Sequence, residues 1–556
     1  MNVNGGMLFL SQELSFRRNF PCNIRFGGQY SSLVCTNMVL GRKITESMQT
    51  IAAIDVGSNA IRMVVGRFDE TRRMETLENI RLPVRLGTDA FGTGRLRETT
   101  MQQTVNAFRH FQRVAADLEV SKIRAIGTSA MREATNGEVL MERVQRASGI
   151  GIETISGEEE ARLVHLAVAN IINLKGKHAL LIDIGGGSVE VTLAEDKKVI
   201  STESYNMGTV RLLQKLNKGS KSFFSPAVPK HPLSLLIREY AEAARRRIER
   251  EIGNAKIDVC AGTGGNVEEM GRLRQKLFKR ESDKLITMGE LQDLIEKLSG
   301  MSEMERIRKL KLRSDRADVI LPATIVLQLI AREAGVKQIA IPHVGLKDGL
   351  LLDMATEVKP GEGTLRREQV WESAVRLGHK YQFDASHARL TARLAGHLFD
   401  ATRELHNLSQ EDRLLMEVGA LLHDIGHFIN TIEHDKHGYY ILKANPLIGL
   451  NEHQQEIVAN LVRYHRASSP SLEDANFKGL PQKERATVTK LSALIRLADG
   501  MDVSHAQHVS DAILTQKKKG WMLTLRGRGD LMLEKWALNK RRALFQEIFG
   551  VELEIG

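Results

Sequence analysis

The chain has 556 residues, too many for a single hydrophobic core, and this length implies three or four domains. Hydrophobic residues make up 42% and charged residues 26%, an ordinary balance for a globular protein, and no apolar run approaches the roughly 18–20 residues that span a bilayer. The formal charge of +11 points to a polyanionic partner, while three cysteines without paired spacing (Cys22, Cys35, Cys260) exclude a disulfide framework and imply a reducing cytoplasm.

Residues 1–47 are rich in Ser, Asn, Gly and Arg and carry only two acids, Glu13 and Glu46. The segment reads as a disordered extension, either a targeting peptide or an over-extended start ahead of Met48. Residues 48–175 then alternate strands, expected at 51–54, 61–68 and 123–126, with helices at 101–118 and 158–174. Residues 176–358 restart with a strand hairpin, followed by a helix over 233–252, a strand at 257–260 and the glycine turn Gly262-Thr263-Gly264-Gly265. Alternation of this kind implies two successive α/β domains. Residues 359–363 (KPGEG) read as a linker. Beyond them apolar residues take helical spacing, as at Leu390, Leu394 and Leu398, and an all-helical domain is expected over 364–505. A small α+β region closes the chain over 506–556.

One pattern occurs twice. Residues 51–65 read IAAIDVGSNAIRMVV and residues 179–193 read ALLIDIGGGSVEVTL, aligned without a gap. Each is a strand, a small or glycine turn, and a second strand. Such a turn lets backbone N–H groups approach a phosphate, so two of them predict a cleft for a phosphate chain. Asp55 and Asp183 end the first strands, where a carboxylate suits hydrated Mg²⁺. Seven residues after Asp55 stands Arg62; seven after Asp183 stands Glu190, so only the second copy can offer two carboxylates to one cation.

The stretches IDVGSNAIR, GTSAMREATN, ISGEEEARL, IDIGGGSVE and RADVILPA together resemble the exopolyphosphatase/guanosine pentaphosphate phosphatase (Ppx/GppA) family. That resemblance implies two ribonuclease H-like domains of the actin, Hsp70 and sugar kinase superfamily, and a homodimer. It places the catalytic base on Glu160, Mg²⁺ on Asp183 and Glu190, and phosphate contacts on Ser58, Asn59, Arg132, Gly186, Gly187 and Ser188. Where the family's first loop often ends in serine, this chain has Ala60. Glu158 and Glu159 are expected on a solvated helix face.

In the helical part, His387, the pair His423-Asp424 in LLHDIGH, and Asp499 in ALIRLADG resemble the HD superfamily of metal-dependent phosphohydrolases. His437 and His465 match the further ligands of its two-metal members, so the resemblance implies a divalent transition metal or Mg²⁺ in this domain. His427 falls where many of those enzymes have lysine, and His434, His453, His505 and His508 are expected at the surface or behind the ligands.

The leading expectation is an exopolyphosphatase that releases Pi from the end of inorganic polyphosphate. Removal of the 5′-terminal phosphate of guanosine pentaphosphate would use the same parts. A third expectation makes the α/β half a polyphosphate or alarmone sensor that regulates the helical phosphohydrolase. A kinase would need an adenosine pocket near Gly262–Gly265. Nucleic-acid binding rests on charge alone, since aromatics are 5% of the chain and do not interleave with basic residues.

Overall fold

The computed structural model describes residues 49–68, 74–219, 256–357, 364–466, 468–517 and 520–556, with three isolated positions between 242 and 250. The expected N-terminal extension, most of the helix expected over 233–252 and the linker at 359–363 lie outside the described residues.

The apolar runs before Asp55 and Asp183 become the central strands of two sheets. The first sheet comprises β1 (Gln49–Val56), β2 (Ile61–Phe68), β3 (Met74–Leu82), β4 (Lys122–Gly127) and β5 (Ile152–Thr154), in the order β3-β2-β1-β4-β5. Its first three strands form an antiparallel meander, and β4 and β5 run parallel to β1. The second comprises β6 (His178–Ile184), β7 (Val189–Glu195), β8 (Lys198–Tyr205), β9 (Val259–Thr263), β10 (Leu285–Thr287) and β11 (Gln338–Ala340), in the order β10-β11-β9-β6-β7-β8. Substituting β6, β7, β8, β9 and β11 for β1 to β5 gives the same order, with β10 added antiparallel at one edge.

Both central strands are buried on both faces, which is why their sequences are continuous apolar runs rather than alternating ones. Ala52, Ile54 and Val56 face a core with Phe108 and Phe111. Ile51 and Ala53, on the opposite face, join Leu163, Leu350 and Leu351, and also Leu181 and Ala261 of the second sheet. Two helices, Gly157–Ile171 and Leu346–Glu357, supply this shared layer and pack on each other.

After residue 363 the periodicity changes to helical, and the helices Thr364–Lys380, Ala385–Ala401, Gln410–Leu422, His434–Ala444, Glu452–Arg463 and Gln482–Gly500 enclose one core. Leu390, Leu394 and Leu398 all point into it. The C-terminal segment forms β12 (Val509–Lys517), β13 (Gly520–Gly527), the helix Met532–Phe549 and β14 (Leu553–Ile555). Its buried side chains Val509, Trp521, Leu523 and Phe545 belong to the helical core. Among the described residues, no helix is long and apolar enough to cross a membrane.

Candidate functional site

Strand register decides how the two hairpins differ. Asp55 lies directly across from Arg62, and Arg62 Nη1 donates to Asp55 Oδ2 at 3.1 Å. Asp183 lies directly across from Glu190 instead, so two carboxylates share one strand pair. Thr263 Oγ1 donates to Asp183 Oδ1 at 2.6 Å and Ser204 Oγ to Glu190 Oε1 at 2.7 Å, each holding one oxygen of its acid.

The hairpin turns face each other across a cavity of about 400 Å³ lined by Ser58, Asn59, Gly186, Gly187 and Ser188 among others. Ser58 Oγ lies 3.2 Å from Ser129 Oγ, while Asn59 Nδ2 donates to the carbonyl of Asp315 at 2.9 Å. Ala60 is buried, and the hydroxyl beside Ser58 is that of Ser129. Arg211, which the sequence did not single out, holds the glycine turn: Nε donates to the carbonyl of Gly187 at 2.7 Å, its other nitrogens grip Glu133, and the guanidinium lies 4.0 Å over the Phe91 ring. The turn at Gly264-Gly265 lines the same cavity.

Glu160 enters this cavity from the first turn of helix Gly157–Ile171, which Ser156 caps by accepting from the N–H of Glu159. Glu160, Asp183 and Glu190 are all buried and bring ligand oxygens within 4.8 Å of one another. Burial raises the pKa of all three; Glu190 and Asp183 push Glu160 further, well above the usual carboxylate range, Asp183 pushes Glu190 to about 7, and Asp55 adds to the rise at Asp183. Glu160 Oε2 and Glu190 Oε2 have no hydrogen-bond partner. Arg132 Nη1 stands 3.8 Å from Glu160 Oε2 while donating to the carbonyl of Ile155. Three buried carboxylates with two unpartnered oxygens and one partly exposed guanidinium beside them are an oxygen-rich donor set that fits a hard divalent cation.

Sequence reasoning missed a group of arginines that line the same cavity. Arg62 lies directly across from Arg81 in β3, and Arg313 and Arg316 join them around the cavity. Burial, then the charges of Arg62, Arg81 and Arg313, pull the Arg316 pKa down to about 9. Asp55 pairs with Arg62 and Asp315 with Arg81, so these acids balance part of the charge, and the guanidiniums left in excess on the cavity lining fit phosphate oxygens. Strand register supplies that signal, and β3 was not among the expected strands. Glu159 also departs from expectation: it is buried and grips Arg162 with both oxygens, at 2.7 and 2.8 Å.

A second cluster lies in the helical core. His387 is placed by Asp384, which caps its helix, and its Nδ1 donates to Asp502 Oδ2 at 2.9 Å. Nδ1 of His423, His434 and His465 lies 2.7, 3.0 and 2.7 Å from the carbonyls of Ala420, Thr431 and Val462. A carbonyl only accepts, so these rings carry a proton on Nδ1 and turn Nε2 inward as the ligand atom, with Arg466 Nη1 also 3.3 Å from Nε2 of His434. The Nε2 atoms meet in pairs, His387 with His423 at 3.1 Å and His434 with His465 at 3.2 Å. Two such lone pairs face each other only with a proton or a cation between them.

Asp424 lies between the pairs. Its Oδ2 is 3.5 Å from His423 and 3.9 Å from His387, and its Oδ1 is 3.2 Å from His434 and 3.5 Å from His465. Asp499 Oδ1 completes the first pair's set at 3.6 Å from His387, and Arg541 holds its other oxygen. The structure thus gathers His387, His423, Asp424, His465 and Asp499. His437 is not among the groups it brings together; one turn earlier on the same helix, His434 is. His427, 3.5 Å from Asp424, and His505, stacked on His387 at 3.7 Å, also join the rim. A Cβ on Gly426 would lie 1.9 Å from the carbonyl of His434, so glycine there lets the turn after the His-Asp pair touch the backbone that carries His434.

Comparison with known proteins covers both parts of the chain. The model of the Ppx/GppA phosphatase family matches residues 64–358, and that of Ppx/GppA phosphatase, domain III, matches residues 370–542. The guanosine-5′-triphosphate,3′-diphosphate pyrophosphatase of Photobacterium profundum is 24% identical over 448 residues, covering 80% of this chain and 85% of that one. The enzyme of the same name from Vibrio campbellii is 26% identical over 452 residues, covering 80% and 86%. Among solved structures, an exopolyphosphatase from Cytophaga hutchinsonii is similar in fold, with a TM-score of 0.51 and 22% identity over 56% of this chain and 99% of that one.

Proposed function

The chain belongs to the Ppx/GppA phosphatase family, and from this we propose that it is an exopolyphosphatase whose cleft hydrolyses the terminal phosphoanhydride of inorganic polyphosphate. One observation carries the reading: Glu160, with an oxygen that has no hydrogen-bond partner, clusters with the buried Asp183 and Glu190, and Glu160 and Asp183 open onto the same cavity as the arginine group. Arg62, Arg81, Arg313 and Arg316 would bind the phosphate chain, and the turns at Ser58-Asn59 and Gly186-Gly187-Ser188 would orient its terminal group. Glu160 would hold a water in line with the scissile bond and take its proton. Asp183 and Glu190 would hold Mg²⁺, which when bound supplies positive charge to the phosphate oxygens and lets the crowded carboxylates ionise. In this reading the α/β half is ribonuclease H-like and the protein a cytoplasmic homodimer.

Phosphate release from long-chain polyphosphate by wild type and Glu160→Ala is the test; full activity in the variant rejects the assignment of the base. Guanosine pentaphosphate is the second reading, favoured by the names of the relatives that match along 80% of the chain. Parallel assays on both substrates separate the two.

For the helical part we read an HD-type metal site. Four Nδ1-anchored histidines and a central aspartate support it, with His434 in the place that the sequence gave to His437. If the cleft only senses polyphosphate, hydrolysis survives Glu160→Ala and disappears in Asp424→Ala.

A further inference from the structure

Helix Gly157–Ile171 carries Glu160 into the cleft, and the next turn of the same helix carries Arg162, one of the largest fully buried side chains in the molecule. Nε and Nη2 of Arg162 grip Glu159, the residue before Glu160, at 2.7 and 2.8 Å. Nη2 also reaches Asp353 Oδ1 at 2.9 Å, and Nη1 donates to Gln369 Oε1 at 3.2 Å. Asp353 belongs to helix Leu346–Glu357, and Gln369 to the first helix of the helical part, Thr364–Lys380.

Asp353 also takes Arg124 Nη1 at 3.0 Å, and Arg124 binds Glu153 on β5 at 2.6 Å. Two residues beyond Glu153, the carbonyl of Ile155 receives Arg132, which stands beside Glu160. The ion network therefore begins and ends on either side of the proposed base. Helix Leu346–Glu357 comes close enough to join it because Gly349 lies against helix Gly157–Ile171: a Cβ there would sit 1.9 Å from the carbonyl of Leu163. From the helical part, Gly449 covers Arg162, its absent Cβ falling 3.8 Å from Arg162 Cδ.

We propose that Arg162 and Gln369 are positioning residues for the cleft reaction, and that the helical part thereby supplies a contact on which the placement of Glu160 depends. The inference rests on Glu160 being the base. Arginine suits the task because its fork offers five N–H donors in one plane, enough for Glu159, Asp353 and Gln369 together; a lysine ammonium keeps the charge but not the geometry. With the fork loosened, the first turn of the helix loses its tether, and a base displaced by even about 1 Å loses on the order of 10²-fold in rate.

The test uses the full chain and three variants. Arg162→Lys is expected to lower kcat for Pi release about 10- to 100-fold with KM within about twofold. Gln369→Ala should lower kcat about threefold, and Gln369→Glu, which keeps the acceptor, should restore it. Amide hydrogen exchange over residues 155–163 is followed in parallel, since it reports the tether whether or not the substrate has been identified. Faster exchange there in Arg162→Lys and Gln369→Ala, reversed in Gln369→Glu, is the expected result. Unchanged exchange, or faster exchange with kcat unaltered, overturns the proposal. A wild type that hydrolyses neither polyphosphate nor guanosine pentaphosphate sinks the proposed reaction instead, and the exchange data still decide the tether.

Discussion

The cleft and the helical cluster both gather metal-ligand side chains in a buried space, but they balance charge in opposite ways. In the cleft, burial and neighbouring carboxylates push the acids up, Glu190 to about 7, and among the described residues no histidine joins the donor set. In the helical cluster, burial also works against the charged acids, yet the surrounding imidazoles outweigh it and hold Asp424 well below the ordinary carboxylate range. At His387 burial is likewise outweighed, by Asp499, Asp502 and Asp424, which together raise the ring to about 9. Arginines line the cleft, yet its three clustered acids remain pushed up, whereas in the helical cluster imidazoles surround the aspartate directly. An all-oxygen site of this kind suits an exchangeable hard cation, and imidazole nitrogens suit a retained transition metal.

The largest effect that would break the contrast is at the base. Glu160→Gln keeps the side chain's shape and removes its basicity. Pi release from polyphosphate is expected to fall by about 10²–10⁴-fold. KM should stay within a few-fold, and the metal content of the helical cluster should not change. A variant that loses that metal would show the two sites to be coupled.

Metal analysis sharpens the comparison next. Wild type purified without added metal should retain transition metal, and Asp424→Asn should lose most of it, because Asp424 offers one oxygen to each histidine pair. His434→Ala should lose part and His437→Ala none. Retention in His434→Ala together with loss in His437→Ala would reverse the assignment made from geometry. Dialysis against EDTA should abolish cleft activity, and added Mg²⁺ should restore it.

Gly426→Ala tests the helical cluster through packing alone. Its Cβ would meet the carbonyl of His434 at 1.9 Å and the amide nitrogen of Gly438 at 2.6 Å, so backbone must move. Overpacking of this kind costs about 1–3 kcal/mol. The melting temperature should drop and metal binding at the site proposed for His434 and His465 should weaken, while cleft kinetics remain those of wild type.

What the sequence made legible follows from the range of each constraint. The hairpins were readable because a central strand must be apolar on both faces and its turn must be small, and both demands are local. Glu160 was singled out only through resemblance, since three consecutive glutamates look alike until the fold buries Glu159 and Glu160. The arginine group was hidden because Arg62, Arg81 and Arg316 meet only when strand register and a distant helix are known. His434 and His437 lie three residues apart on one helix, and spacing cannot tell which of two adjacent turns approaches Asp424. The 3.2 Å approach of His434 to Asp424 is visible only in the folded chain.

His165 extends the comparison to a single buried imidazole. Each clustered histidine of the helical core gives its Nδ1 proton to a carbonyl or a carboxylate, whereas both ring nitrogens of His165, on the helix that carries Glu160, are buried without a partner. Burial, reinforced by the charge of Arg162, depresses its pKa to about 4 from an ordinary 6.5. Between those values the unfolded chain binds the proton and the folded chain does not, so this contribution to stability is complete above pH 6.5 and fades as pH falls toward 4. At pH 5 the loss amounts to about 2 kcal/mol. His165→Leu, of similar size and without a proton site, should match wild type in urea unfolding at pH 7 to within about 1 kcal/mol and exceed it by about 2 kcal/mol at pH 5. Equal acid sensitivity of the two proteins would mean that His165 finds a partner in solution, and the contrast between an unpaired ring beside the cleft and paired rings in the helical core would no longer hold.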